Sequence, residues 1–71
     1  MSAFIGEVSF KPVGRFASEE VFVGNFKYGH VFPAGGGYIA LPMDGLMNPP
    51  HPFYGASKDV AVDKLIAGVG A

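Results

Sequence analysis

The chain contains no cysteine and no tryptophan. Without cysteine there is no disulfide staple, no thiolate zinc site, no thiol nucleophile and no cysteine lipidation. Charge is scarce as well: five Lys and Arg stand against six Asp and Glu, giving a formal net charge of -1. Such a balance provides no basic footprint, which argues against nucleic acid or anionic lipid as a partner. Long apolar runs are also missing. The stretch Val31 to Met43 is cut by Pro33, Pro42 and the triplet Gly35-Gly36-Gly37, and Met1-Ser-Ala-Phe-Ile has neither a basic n-region nor a long apolar core. The expectation is therefore no signal peptide, no membrane span and no membrane partner, with synthesis in the cytosol and incorporation into a particle compatible with that.

What is present argues for a folded chain. Leu, Ile, Val and Phe make up 21 of 71 residues and aromatics 14%, too much apolar material for a disordered segment. A single domain of this size hides only about 60% of the surface that its unfolded chain exposes, so small domains are commonly reinforced by disulfides, metals or association. With no cysteine, association with other subunits is the reinforcement to expect.

Gly and Pro together number 17 of 71, interleaved with the aromatics, which reads as turn-rich rather than low-complexity. From Phe4 to Phe10 the residues alternate like a half-buried strand, with Phe4, Gly6, Val8 and Phe10 on one side. Lys11-Pro12-Val13-Gly14 ends it. In Glu20 to Phe32, the residues Phe22, Phe26, Tyr28, His30 and Phe32 share one parity, so the stretch reads either as one long strand or as a hairpin turning at Gly24-Asn25, a type II′ dipeptide. Pro33 to Gly37 breaks the pattern, and Tyr38-Ile39-Ala40-Leu41 suits another strand.

Residues 42–56 carry Pro42, Pro49, Pro50, Pro52, Gly45 and Gly55, too many breakers for a regular element. Loops of that length are usually functional or docked. The apolar residues Leu46, Met47, Phe53 and Tyr54 favour docking, so Leu46, Met47, Pro49, Pro50, Phe53 and Tyr54 are the candidate partner-binding residues. Over 57–71 a helix is expected: Ser57 as N-cap, Asp59 in the first turn, a stripe of Ala61, Val62, Leu65, Ile66 and Val69, and Gly68 as the stop. A competing pattern, Asp59-Val60-Ala61-Val62-Asp63, alternates like a strand.

No motif in the chain supports catalysis. Gly35-Gly36-Gly37 runs into strand-like residues rather than a helix, unlike a phosphate cradle. His30 and His51 lie 21 positions apart with no short ligand spacing, so no metal or cofactor is expected. The serines lack a strand–elbow–helix context, and the adjacent Glu19 and Glu20 would point to opposite faces of a strand. Lys27-Tyr28-Gly29-His30-Val31-Phe32 resembles the aromatic, basic strand of RNA-recognition and cold-shock domains over six residues. It lacks that motif's second-position glycine and has His30 where the family has an aromatic ring. The resemblance implies base stacking by an exposed platform of Lys27, Tyr28, His30 and Phe32.

The expected fold is mainly β: a single small domain with a three- or four-stranded antiparallel sheet over 1–41, a Pro/Gly-rich interaction arm over 42–56 and a C-terminal helix over 57–71. Phe22, Phe26, Tyr28 and Phe32 should form an apolar sheet face too large for the arm and helix to cover. The expected function is non-enzymatic, a structural or stabilising subunit bound to other protein subunits in a large assembly such as a virion capsid or tail. The alternatives are a small nucleic-acid- or peptide-binding module and an accessory subunit of a multi-chain enzyme.

Overall fold

The computed structural model describes residues 7–15 and 17–70. Five strands, β1 (Val8–Pro12), β2 (Glu19–Val23), β3 (Phe26–Ala34), β4 (Gly37–Pro42) and β5 (Phe53–Gly55), precede one helix, α1 (Lys58–Gly70). The strands form one antiparallel sheet in the order β1-β2-β3-β4-β5, so every strand pairs with its neighbour in sequence. The expected mainly β fold with a C-terminal helix is what the chain adopts. The expected Phe4 to Phe10 strand is seen from Val8 onward, and Phe4, Ile5 and Gly6 lie outside the described residues.

Glycine placement sets both tight hairpins. Val23 pairs with Phe26 across Gly24-Asn25, and Gly24 alone takes a positive φ, 62°, as a type II′ turn requires. This settles the hairpin over the single long strand. Ala34 pairs with Gly37 across Gly35-Gly36, whose φ values of 56° and 85° are those of a type I′ turn. Here the sequence reading placed a break at Pro33, yet β3 runs through it. The reason lies in the ladder. The pair flanking a two-residue turn is hydrogen-bonded, so the next pair, Pro33 with Tyr38, is not, and the Pro33 nitrogen points away from β4. On that other side β2 has already ended, with Glu19 opposite Val31, so no ladder bond is lost.

The sheet has five strands rather than three or four because the proline-rich segment contributes one. Phe53, Tyr54 and Gly55 pair with Ala40, Ile39 and Tyr38. Three residues between Pro52 and Ala56 are too few to show a period of two, which is why the strand is invisible in the sequence.

The helix forms as its residues predict. The Ser57 hydroxyl oxygen accepts the Val60 N–H at 3.3 Å, the Ser57 carbonyl accepts the Ala61 N–H at 3.1 Å, and Asp59 lies in the positive first turn. Ala61, Val62, Leu65 and Ile66 are buried against Val21, Val31 and Ala40, with Phe10, Val23, Tyr28, Tyr38, Phe53 and Val69 packed around them. Gly68 does not stop the helix, which runs on to Gly70. It instead leaves room for a ring, since a Cβ there would sit 2.5 Å from Phe53 Cζ. Gly55 performs the same service at the other end, where a Cβ would strike the Ala61 backbone. Two glycines thus let α1 lie close on β5.

The largest fully buried side chains are Leu65, Val21, Val31 and Val62. With so few, each matters. Leu65→Ala is expected to lower unfolding free energy by about 2–4 kcal/mol, read from the midpoint of a urea titration at unchanged slope. A midpoint equal to that of the wild type would contradict this core.

Candidate interaction surface

A β-bulge decides which side chains face which way. Val21 pairs with Gly29, but Phe22 pairs with Lys27, so Tyr28 is an extra residue on β3 and the alternation slips by one. Before the slip Phe26 lies opposite Val23, and Phe26 and Tyr28 share the helix side, their rings edge-on at 5.2 Å. After it, Gly29 and Val31 take that side, and His30 and Phe32 the other. The expected single apolar face of Phe22, Phe26, Tyr28 and Phe32 is therefore divided. Phe22 and Phe32 face away from the helix, and Phe26 and Tyr28 do not.

The side away from α1 is built from three cross-strand rows. Phe32, Ile39 and Tyr54 form one across β3, β4 and β5. Lys11, Glu20, His30 and Leu41 form the second across β1 to β4. Ser9, Phe22 and Lys27 form the third. None of the apolar members belongs to the buried cluster or to the residues packed on it, and among the described elements only α1 packs across the sheet, on the opposite side. Tyr54 is 60% exposed and Leu41 38%. The open face thus has an apolar corner over β3–β5 and a polar corner over β1–β3.

The polar corner is internally paired. Lys27 Nζ donates to Glu20 Oε2 at 2.7 Å, and His30 Nε2 lies 4.0 Å from the same oxygen. The Lys27 hydrogen bond holds the Glu20 carboxyl below its ordinary value of 4.5; partial desolvation opposes this, and the charges of Lys27, His30 and Lys11 add to the lowering. On the helix side a second pair, Lys58 Nζ to Glu19 Oε1 at 2.9 Å, forms where Lys58 also lies 4.2 Å from the centre of the Phe10 ring.

The six expected partner-binding residues do not form one surface. Leu46 and Met47 are half-buried, Pro49 and Pro50 are exposed, and the Asn48–Pro49 peptide is cis. Phe53 faces inward, opposite Ala40 and against the Gly68 notch that Met47 also borders. Its neighbour Tyr54 faces the open side. Sequence reasoning missed Ile39 and Leu41 as surface residues, although the alternation of large and small in Ile39-Ala40-Leu41 carried the signal. The base-stacking platform is also divided, because Tyr28 lies on the helix side while Lys27, already tied to Glu20, lies on the other.

Among the described residues no cluster of three His, Asp or Glu side chains could hold a metal ion, and no helix is long and apolar enough to cross a membrane. Compared with protein-family models, curated proteins and solved structures, the chain matches none.

Because the Glu20 carboxyl is lowered in the folded chain, its ionised form favours folding above the ordinary carboxylate range, and this contribution is lost as pH falls through the lowered value. Glu20→Gln is expected to shrink the difference between urea midpoints measured at about pH 6 and about pH 3, which bracket carboxylate titration. An unchanged difference would show that the pair does not couple to folding.

Proposed function

We propose that this chain is a non-enzymatic structural subunit that docks on other protein through its open sheet face, stabilising an assembly as it is itself stabilised. One observation carries the reading: Phe22, Phe32, Ile39, Leu41 and Tyr54 lie on a sheet side that no described element covers. Antiparallel sheets with a solvated side ordinarily alternate apolar-in with polar-out. Here the outward positions of β4 are Ile39 and Leu41, and burying such a patch is worth about 25 cal/mol per Å² removed from water. The paired charges of the other corner suit the rim of an interface, where polar groups keep contact with water.

The nucleic-acid reading draws on Lys11, Lys27, His30, Phe22 and Phe32 sharing that face. It is the weaker, because Glu20 neutralises Lys27 and the chain's net charge is negative, whereas phosphate neutralisation supplies most of the affinity in such binding.

Native size in extracts of cells making the chain tests the proposal. The wild type is expected to elute well above monomer size, and Ile39→Lys and Tyr54→Lys as monomers with unchanged circular dichroism. A wild type eluting as a monomer would refute docking through this face.

A further inference from the structure

We infer that β1 pairs with β1 of a second copy of the same chain, antiparallel about Ser9, so that two five-stranded sheets continue as one of ten strands. The inference concerns the rim of the sheet and is independent of the open-face reading. It starts from the backbone groups that the rim leaves unused.

The Gly24 N–H donates to the Glu7 carbonyl at 2.9 Å and the Val13 N–H to the Ser18 carbonyl at 3.2 Å, and between them Val8 to Pro12 pair with Val23 to Glu19. Because hydrogen-bonded pairs alternate along an antiparallel ladder, Glu7, Ser9, Lys11 and Val13 engage β2. Val8 and Phe10 therefore aim N–H and C=O outward, and Pro12 its carbonyl alone, along an edge where no described strand lies. The other edge offers less. Gly37 bonds Ala34 across the turn, so β4 turns Tyr38 and Ala40 toward β5, and Gly55 and Phe53 are used in meeting them. Only Tyr54 faces outward there. With one edge able to take a strand, a twofold axis closes the pairing, whereas a head-to-tail contact would need both edges.

The register follows from charge. Centred on Ser9, Val8 and Phe10 of the second copy exchange two backbone bonds, and the symmetric pair exchanges two more. Glu7 then stands opposite Lys11 of the second copy, and Lys11 opposite its Glu7. Centring on Val8 would set Glu7 opposite Ser9; centring on Phe10 would set it opposite Val13 and turn the Pro12 ring onto the Val8 carbonyl. Lysine and proline ordinarily deter strand addition at an edge. Here the lysine meets a carboxylate and the proline lies just beyond the four bonds.

The side chains agree on both sides of the sheet. Glu7 and Lys11 are exposed, and they would meet at non-hydrogen-bonded pairs, where cross-strand neighbours are closest. Lys11 already lies opposite Glu20, so it would have a carboxylate on either flank. On the helix side, exposed Val8 would meet Phe10 of the second copy, extending the row Phe26–Val23–Val8 past the margin.

Five residues rising about 3.3 Å each make a contact about 17 Å long and one sheet thick, burying on the order of 600 Å². That places the dimer among weak encounters, with a dissociation constant on the order of 100 µM. A column eluate from an extract is far more dilute, so native size there reads the open face alone.

Sedimentation equilibrium of the full chain at low ionic strength, from about 10 µM to about 2 mM, brackets that constant. The wild type should pass from monomer to dimer across the series. Glu7→Lys and Lys11→Glu each set like charges opposite one another at both pairs, and each should weaken the dimer at least about fivefold. An equimolar mixture of the two, in which every pair is again Lys opposite Glu, should form a heterodimer about as tight as the wild-type dimer. Val8→Pro, whose ring would close the outward edge and leave every bond to β2 in place, should abolish the dimer with unchanged circular dichroism, and Ile39→Lys should leave it intact. A wild type still monomeric at the top of the series overturns the edge dimer, as does a dimer that survives Val8→Pro or a mixture that fails to restore it, and none of these results touches the open-face reading. A dimer dispersed by Ile39→Lys also overturns it and assigns the contact to the open face.

Discussion

One helix is narrower than the sheet it packs on, and most of this molecule follows from that mismatch. An α-helix with its side chains is about 10 Å across, whereas five strands span about 24 Å. The helix Lys58–Gly70 therefore serves β3, β4 and β5, where Val31 and Ala40 are buried and glycine at 55 and 68 permits close approach. On the same side, the margin at β1 and the start of β3 is left partly open, with Val8 45% and Phe26 53% exposed. Lys58, held by Glu19, partly roofs that margin by lying over Phe10. No strand or helix among the described residues packs across the opposite side, where Leu41 and Tyr54 are exposed and Phe22, Phe32 and Ile39 half-buried.

The proposed assembly role starts from this geometry. The interior is built from small and medium side chains, and the molecule has no disulfide to restrict its unfolded state. Meanwhile Phe22, Phe32, Ile39, Leu41 and Tyr54, residues that would enlarge the interior if covered, face away from the helix, the first three half-buried and the last two exposed. A partner laid on them would supply the second layer that small domains need around a single core. The division of that face into an apolar corner and a self-paired polar corner follows the anatomy of interfaces, with water excluded at the centre and charge kept at the edge.

Much of this was legible in the sequence. The helix, its cap at Ser57 and its buried stripe follow from the stronger of two patterns over that segment, and the strand around Ile39 follows from its apolar run, whereas spacing left the Gly24-Asn25 hairpin open against one long strand. What was hidden is instructive. The strand Phe53–Gly55 is too short for periodicity and is held by pairing with β4. Pro33 looks like a breaker and is tolerated because its nitrogen faces a side where β2 has ended. The bulge at Tyr28 has no sequence signature of its own, yet it turns Phe32 away from Phe26 and Tyr28 to the side where the two-residue turn already holds Phe22, and so redraws the candidate surface. In the proline-rich segment, chemistry alone did not reveal that Phe53 and Tyr54, adjacent and similar, would face opposite sides of one strand.

The central claim is that the open face is covered when the chain is at work. Hydroxyl-radical labelling read by mass spectrometry tests it directly, comparing the chain in its native extract with the same chain isolated and dilute. Ile39, Leu41 and Tyr54 are expected to be labelled several-fold less in the extract, while Val60, on the outer surface of the helix, is labelled equally in both. Equal labelling of Tyr54 in the two states would contradict it.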